Sequence, residues 1–328
     1  MTSLRYSVAN SIDRQLTAFE RQVAQRQGRT VTLMDGSMGE ELADRGFSTR
    51  DGLWSARALI DHPNEIVALH QEYLSAGAEV ITTNTYSTVP SYLAKAGLGD
   101  RVRELATSAA ELARKALDEF DKPNGARVAG CLPPLDESYR PDLVPAAYEA
   151  IPIYRDLIDS MAPSVDLFLA ETMSSIDEAQ HVAEALRSSP DFAAFEWMVS
   201  FTLDDRDGTK LRSGESVTEA VKALSVQKPI AILFNCTTPQ SILDGVGCAH
   251  KVTTCRVGGY PNRFKPVPED WTLDDDQEIM RDAGLTRDKF VSWSNRFLDA
   301  GASYLGGCCG IGPSYIEALA RNLHARSS

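Results

Sequence analysis

The amino-acid sequence predicts an α/β protein in which eight parallel strands close into a single (β/α)8 barrel, the TIM-barrel architecture. Short apolar or β-branched runs alternate with longer helical patterns along the chain, and such alternation is typical of parallel sheets with right-handed crossovers. The 328 residues also suit one barrel of about 250 residues with additions. An eight-unit repeat of this length favours a closed barrel over an open, doubly wound sheet.

The predicted strands are short and are followed by turn-forming residues. In chain order they cover residues 31–35, 79–83, 127–131, 166–170, 197–201, 230–234, 252–257 and 302–306. The intervening helical periodicity predicts helices over 64–76, 100–119, 145–161, 175–188, 216–225, 287–299 and 313–323.

Two segments lie outside this alternation. The N-terminus carries apolar residues spaced as on one face of an amphipathic helix: Val8, Ile12, Leu16, Phe19 and Val23. We therefore divide the chain into a helical extension, residues 1–29, and a barrel, residues 30–328. The extension is expected to cover the barrel floor, or else to contact a second subunit in a homo-oligomer. The proline- and acid-rich segment 258–286 is expected to form a rim loop or lid.

The composition argues against several classes of protein. The chain has 33 basic and 46 acidic residues and a net charge of −13, whereas binding to nucleic acid needs a basic face. No apolar run approaches the roughly 20 residues that span a bilayer, and no secretory signal is visible near the N-terminus. The expected location is therefore the cytoplasm, where cysteines stay reduced.

Three cysteines stand at the ends of predicted strands, where a barrel of this kind carries its chemistry. Cys236 follows the sixth strand, and the adjacent Cys308 and Cys309 follow the eighth inside a glycine-rich stretch. Glycines let two consecutive residues turn their sulfurs toward one point. Three protein ligands with an open fourth position are typical of catalytic zinc, and sulfur ligands favour zinc over magnesium or calcium. The sequence thus predicts a zinc site, with buried apolar thiols as the alternative.

The other cysteines are weaker candidates. Cys248, His250 and Cys255 form a rival cluster, but they offer too few ligands and fall within a predicted helix or strand. Cys131 ends the third strand and could reach the barrel mouth, but packing in the core is the favoured expectation.

Two acids at strand ends, Asp35 and Glu171, permit two interpretations. Each carboxylate can cap a following helix, or the pair can hold the ammonium group of an amino acid. In the second case the backbone N–H groups of Gly36 and Ser37 would suit the carboxylate of the same amino acid. The residues alone leave both interpretations open.

Motifs for other chemistries are missing from the sequence. It contains no GxGxxG after a strand, no phosphate-binding P-loop, no GxSxG and no HExxH. None of its five histidines stands at a predicted strand end. Dinucleotide binding, nucleotide binding and imidazole-based hydrolysis therefore have no support.

Several stretches together resemble the homocysteine S-methyltransferase family. They are LMDGSMGEEL (33–42), GAEVITTNTYST (77–88), LFLAET (167–172), SFT (200–202), FNC (234–236), YPN (260–262) and GASYLGGCCGIGPSYI (301–316). The most specific signal is FNC combined with GGCCG at this separation, and the resemblance covers about residues 30–325.

The resemblance implies a (β/α)8 barrel with zinc held by three cysteines, which would be Cys236, Cys308 and Cys309. It further implies that Asp35 and Glu171 hold the homocysteine amino group and that the turn at Gly36 and Ser37 receives its carboxylate. Residues that would line the barrel mouth are Asn84, Tyr260 and Asn262.

The activity implied by the resemblance is transfer of a methyl group from a small onium donor to homocysteine, giving methionine. S-methylmethionine or S-adenosylmethionine is the preferred donor, and a betaine, another onium compound or another thiol acceptor is the alternative. The sequence departs from the family pattern at 131–142 and 263–265, near the expected donor side. A zinc hydrolase using Glu171 as its base, and a zinc or thiol sensor, are the competing classes.

Overall fold

The computed structural model describes residues 31–47, 53–121, 125–189, 195–268 and 280–327. The helix predicted from Val8 to Val23 lies outside these ranges, so the extension over residues 1–29 stays a prediction. From Thr32 onward the described residues belong to one compact unit, Thr32–Ser328. Within these ranges no helix is both long enough and apolar enough to cross a membrane.

Eight strands, all parallel, form the centre of the described structure. They are β1 (Thr32–Leu33), β2 (Val80–Thr82), β3 (Arg127–Leu132), β4 (Leu167–Met173), β5 (Glu196–Phe201), β6 (Ala231–Asn235), β7 (Arg256–Tyr260) and β8 (Tyr304–Leu305). Each strand from β2 to β8 pairs with the next, and β8 pairs with β1. A parallel bridge between Met34 and Val80 connects the end of β1 to β2. The predicted (β/α)8 barrel is therefore confirmed.

Helices follow the strands in chain order. They are α1 (Gly39–Asp44), α2 (Ala56–Asp61), α3 (Pro63–Ser75), α4 (Pro90–Lys95), α5 (Val102–Asp118), α6 (Ala147–Met161), α7 (Ile176–Ser188), α8 (Val217–Ser225), α9 (Pro239–Val252), α10 (Arg287–Asp299) and α11 (Pro313–Ser327). Short 3-10 turns in the described ranges cover Gly99–Arg101, Pro141–Leu143 and Ala162–Ser164. The sequence prediction did not include α1, α2, α4 and α9.

Helix starts are fixed by local side-chain caps. The Ser175 and Thr238 side chains accept the N–H groups of Glu178 and Ser241 at the starts of α7 and α9. Such caps satisfy backbone donors that the helix itself leaves unpaired. These two helices begin just after β4 and β6. The caps therefore also stabilise the turns that follow these strands at the barrel mouth.

Apolar side chains fill the barrel interior. They are Met34, Val80, Ala129, Leu167, Leu169, Met198, Ala231, Leu233, Tyr260 and Tyr304, and Cys308 packs against them. Pairs two residues apart on one strand, such as Leu167 and Leu169, share a face of the sheet. This packed interior supports the carboxyl-terminal ends of the strands, where the polar residues gather.

The seventh strand was predicted too early, over 252–257, whereas β7 spans Arg256–Tyr260. The β-branched run that suggested a strand includes the last residue of α9. The true strand contains two glycines because its neighbour is very close: a Cβ on Gly258 would lie 2.2 Å from the Tyr304 carbonyl oxygen. The prediction that 258–286 is wholly a loop is therefore wrong for its first three residues.

The described parts of that segment pair with each other at one point. Phe264 and Arg281 form an antiparallel bridge. The Arg281 guanidinium also contacts Glu40 and Asp44, both at 2.7 Å, so this pairing is attached to α1. This part of the segment therefore lies at the barrel rim, as predicted.

Candidate active site

The sulfur atoms of Cys236, Cys308 and Cys309 lie together at the carboxyl-terminal end of the barrel. Cys236 directly follows β6, and the other two follow β8. The Cys236 and Cys309 sulfurs are 3.6 Å apart, and those of Cys308 and Cys309 are 3.9 Å apart. All three sulfurs lie within 4.8 Å of one another. All six cysteines of the chain are free thiols.

Tight backbone turns bring these sulfurs together. Cys236 has a φ of +51°, which is uncommon for a residue with a side chain. Gly307 precedes the cysteine pair, and a Cβ there would lie 2.1 Å from Ile311 Cγ2. Only glycine therefore allows the loop after β8 to fold this closely.

The spacing of the sulfurs suits a tetrahedral metal. Zinc with Zn–S bonds of about 2.3 Å separates two sulfur ligands by about 3.8 Å, and the separations of 3.6 and 3.9 Å lie on either side of that value. Among the described residues, no other group of three potential ligands lies close enough to share an ion. The rival cluster of Cys248, His250 and Cys255 thus has no structural support.

Polar groups surround the sulfurs and can donate to them when they are ionised. The Tyr139 hydroxyl lies 2.9 Å from the Cys236 sulfur, and the Asn262 amide donates to the same sulfur at 3.9 Å. The Asn235 amide donates to Cys308 at 3.9 Å. These contacts favour the thiolate form, which is the form that binds metals.

The three thiols also share charge among themselves. Hydrogen bonds from Cys308 and Cys309 hold the pKa of Cys236 well below its usual value, against the effect of burial. The pKa values of Cys308 and Cys309 are raised, first because of these same bonds to Cys236. Without a cation the cluster therefore favours ionisation of Cys236 over that of its two neighbours, and a bound divalent ion would favour ionisation of all three.

An ion pair lies behind Tyr139. The Arg212 guanidinium stands 5.0 Å from the centroid of the Tyr139 ring and forms a buried salt bridge of 2.7 Å with Asp205. Asp205 also accepts the Thr237 hydroxyl at 2.6 Å, just after Cys236 in the chain. The loop after β5 is thereby connected to the turn that carries Cys236.

Asp35 is buried and Glu171 is half-buried at the same end of the barrel. Thr82 donates its backbone N–H to Asp35 at 2.7 Å. The two oxygens of Glu171 accept separately, from the Cys131 thiol and from the Tyr260 hydroxyl, each at 3.2 Å.

The two acids are poised to bind a cation. Burial raises the pKa of Asp35 to about 8, and the nearby charge of Glu171 contributes to the increase. Burial likewise raises the pKa of Glu171 to about 7. A cation between two such groups would favour their ionised forms.

The position of Glu171 depends on an irregularity in β4. The strand shifts register between Ala170 and Met173, and Thr172 has a φ of +64°. The Thr172 hydroxyl accepts the Asn235 amide at 2.8 Å, which stabilises this strained turn. Neither carboxylate serves as a helix cap here, in contrast to one of the two interpretations of the sequence.

The loop that carries Asp35 is joined to the loop that carries the cysteine pair. Gly307 donates its N–H to the Asp35 carbonyl, and Ser37 donates its N–H to the Ile311 carbonyl, both at 3.0 Å. The Tyr73 hydroxyl donates to the Ser37 carbonyl at 2.7 Å. The Ser37 amide, which the sequence assigned to a substrate carboxylate, is thus engaged within the protein.

Gly36 lies in the same close contact between the loops. A Cβ on this residue would lie 2.2 Å from the Ile311 carbonyl oxygen. The glycine is therefore needed for the approach of the two loops, whatever its N–H group binds.

The other predicted mouth residues differ in what they contact. Tyr260 contacts Glu171, and Asn262 contacts Cys236. Asn84 is buried, and its amide donates to the Ser55 carbonyl at 3.0 Å, just before α2. Its hydrogen bond therefore supports the rim of the barrel.

Two residues in contact with the site were missed from the sequence, Tyr139 and Cys131. Tyr139 belongs to the segment 131–142, whose departure from the family pattern was the available signal. Cys131 was expected to pack in the core, with the barrel mouth as the less favoured location; it is buried, and its thiol donates to Glu171. Its position at a strand end was the available signal of that contact.

The chain belongs to the homocysteine S-methyltransferase family, whose model matches residues 32–323. It is 30% identical over 330 residues to selenocysteine Se-methyltransferase of Brassica oleracea var. italica, covering 90% of each chain. It is also 30% identical over 334 residues to homocysteine S-methyltransferase 2 of Arabidopsis thaliana, covering 92% of this chain and 96% of the relative.

A solved structure shows the same architecture. It is the metallated form of the homocysteine methyltransferase MmuM from Escherichia coli, with a TM-score of 0.75 and 28% identity. The match covers 91% of this chain and 98% of that one. The family suggested by the sequence motifs is therefore confirmed.

Proposed function

We propose that this protein is a zinc-dependent methyltransferase that moves a methyl group from a small onium donor to the thiol of homocysteine, giving methionine. The observation that carries the proposal is the convergence of Cys236, Cys308 and Cys309, with sulfurs spaced as zinc ligands, beside two acids with raised pKa values. Family membership agrees with this chemistry.

The three cysteines would hold the ion as thiolates. A bound zinc would lower the pKa of the incoming substrate thiol, so that the substrate is present as the nucleophilic thiolate. Tyr139 and Asn262 would stabilise the charge on Cys236 by donating to its sulfur. Three thiolates and one dication leave a net charge of −1, which would attract a cationic donor.

The two acids would bind the ammonium end of homocysteine. Asp35 is buried and Glu171 is half-buried, and their raised pKa values indicate that ionisation is unfavourable without a partner. An ammonium group would offset that cost and favour the ionised forms of both acids. The substrate would then be oriented with its amino group at the acids and its sulfur toward the cysteines. In this arrangement Gly36, Tyr260 and Asn262 would lie around the substrate, while Ser37 and Asn84, whose N–H and amide groups bind Ile311 and Ser55, would support the surrounding loops.

Transfer itself would be a single in-line displacement. The substrate sulfur forms a bond to the donor methyl carbon while the bond from that carbon to the donor's onium atom breaks. The electron pair stays with the donor, which leaves as a neutral thioether or tertiary amine. Holding both reactants aligned can contribute about 7–11 kcal/mol in favourable cases.

We infer that the donor is S-methylmethionine or S-adenosylmethionine, with a betaine as the alternative. Each of these carries a positive charge next to the transferred methyl group, as the electrostatics of a thiolate-rich site require. Segment 131–142, which departs from the family pattern, includes Tyr139, whose hydroxyl lies beside the Cys236 sulfur. Residues of this segment could therefore influence which donor binds.

The proposal is tested by metal analysis of freshly reduced protein, followed by homocysteine methylation with each donor in turn. We expect about one zinc per chain and methionine formation with at least one onium donor. Selenocysteine is included as a second acceptor because of the plant relative with that name. Zinc without transfer to any acceptor would favour a hydrolase or sensor, and absence of zinc would refute the proposed metal site.

A further inference from the structure

We propose that Cys131 is a positioning residue for homocysteine binding: its thiol holds the Glu171 carboxylate in the orientation that receives the substrate ammonium group. The inference rests on the proposed function, in which Glu171 binds that group. It adds a role for a cysteine that is not one of the three candidate metal ligands.

Two different side chains hold the Glu171 carboxylate. The Cys131 sulfur lies 3.2 Å from Oε2, and the Tyr260 hydroxyl lies 3.2 Å from Oε1. Each carboxylate oxygen thus has one donor, and the two donors come from strands on different sides of β4, namely β3 and β7. With both oxygens held, rotation of the carboxylate is restricted before the substrate arrives.

Cys131 itself is rigidly placed. Its N–H donates to the Thr83 hydroxyl at 3.0 Å, and its carbonyl accepts the Thr85 hydroxyl at 2.8 Å. It pairs with Leu169 in the register of β3 and β4, two residues before Glu171. Its side chain is almost completely buried.

The thiol is suited to act as a donor at this position. Burial, together with the charge of Glu171, raises the pKa of Cys131 well above its usual value. The thiol therefore keeps its proton at neutral pH. A thiol is a weaker donor than a hydroxyl, so it can stabilise the carboxylate while leaving it available to the ammonium group.

Removal of this donor should affect substrate binding more than turnover. Without it, Glu171 has one donor instead of two, and its ionised form becomes less favourable in a half-buried site. We expect Cys131→Ala to raise the KM for homocysteine about three- to tenfold, which is the range for one ordinary hydrogen bond. The kcat should change less than about twofold, because Cys131 touches neither the reacting methyl group nor the three sulfurs in this arrangement.

The experiment compares Cys131→Ala, Cys131→Ser and the control Cys248→Ala, which removes a thiol from α9. Homocysteine KM and kcat are measured at saturating donor, with zinc content for each variant. We expect serine to restore KM to within about twofold of the original value, because its hydroxyl also donates. Equal impairment of the Ala and Ser variants, or a fall in kcat at unchanged KM, would overturn the inference.

A second measurement does not depend on methyl transfer. The S–H stretching band of Cys131, identified by its loss in Cys131→Ala, is recorded by infrared difference spectroscopy. Hydrogen bonding to a carboxylate should hold this band at low frequency, and Glu171→Gln should raise it. An unshifted band would overturn the inference even in an active enzyme. A shifted band in a protein that does not methylate homocysteine would refute the proposed function and leave the Cys131–Glu171 contact standing.

Discussion

Replacement of Glu171 by Gln should stabilise the protein and weaken substrate binding at the same time. Burial raises the pKa of Glu171 to about 7 from an ordinary value of 4.5. Between these two values the folded protein keeps a proton that the unfolded chain has lost, so stability falls as the pH rises through this interval. A glutamine carries no charge in either state and avoids this loss.

The size of the effect follows from the same pKa values. Each pH unit between 4.5 and about 7 lowers the free energy of unfolding of the original protein by about 1.36 kcal/mol. Above pH 7, Glu171→Gln should therefore be more stable than the original protein by about 3 kcal/mol. At pH 5 the difference should be less than about 1 kcal/mol. Homocysteine binding should change in the opposite direction, because a hydrogen bond to a charged group contributes about 1.5–3 kcal/mol. The KM for homocysteine should therefore rise roughly tenfold to a hundredfold.

Glu178 offers a matched control. It is a buried glutamate whose pKa burial likewise raises to about 7, but it accepts the N–H and hydroxyl of Ser174 at 2.6 and 2.8 Å. Glu178→Gln keeps an acceptor for both groups. It should show the same pH-dependent gain in stability with an unchanged KM for homocysteine.

The assay is urea unfolding of reduced, metal-free protein at pH 5 and pH 8, with homocysteine KM measured on the zinc-loaded enzyme. The reasoning would be refuted by a stability gain in Glu171→Gln that is equal at the two pH values. It would also be refuted by a KM that rises equally in both glutamine variants.

Three further changes test the metal site and the packing. Cys308→Ala should reduce zinc content from about one per chain to near zero and abolish methyl transfer, whereas the control Cys248→Ala should retain zinc and activity. A Cys308→Ala protein that still binds zinc and is active would contradict the ligand assignment. Tyr139→Phe removes a donor 2.9 Å from a ligand sulfur and should lower zinc affinity about tenfold in chelator competition; unchanged affinity would count against that role. Gly245→Ala places a Cβ 2.6 Å from a leucine methyl group and should cost about 1–3 kcal/mol in urea unfolding. Gly247→Ala, on the same helix with open space around it, should gain up to about 1 kcal/mol, and equal effects would contradict the packing argument.

The candidate metal site was the most predictable part of the protein. Cys236 and Cys309 are 73 residues apart in the chain, yet each follows a predicted strand. Because the carboxyl ends of parallel strands meet at one end of a barrel, placement on strand ends was enough to bring these residues together. The adjacent glycines marked the close turn after β8.

Elements without a clear local period were less predictable. The strand over Arg256–Tyr260 was misplaced because its two glycines resemble loop residues, although close packing against β8 requires one of them. No bounds were predicted for helix α9, although the local cap by Thr238 marks its start. For the strand, contact with β8 outweighed the local pattern, whereas for the helix the local signal was present and was not used.

The sequence by itself determined the alternation of strands and helices, the family, and which side chains stand at the barrel mouth, because periodicity and strand-end positions are local properties of the chain. Only the tertiary structure decided which of these side chains touch one another. The contacts of Cys131 with Glu171 and of Tyr139 with Cys236 join separate strands and loops. Their existence depends on strand register and on turns such as the one at Thr172, which no nearby residue pattern encodes.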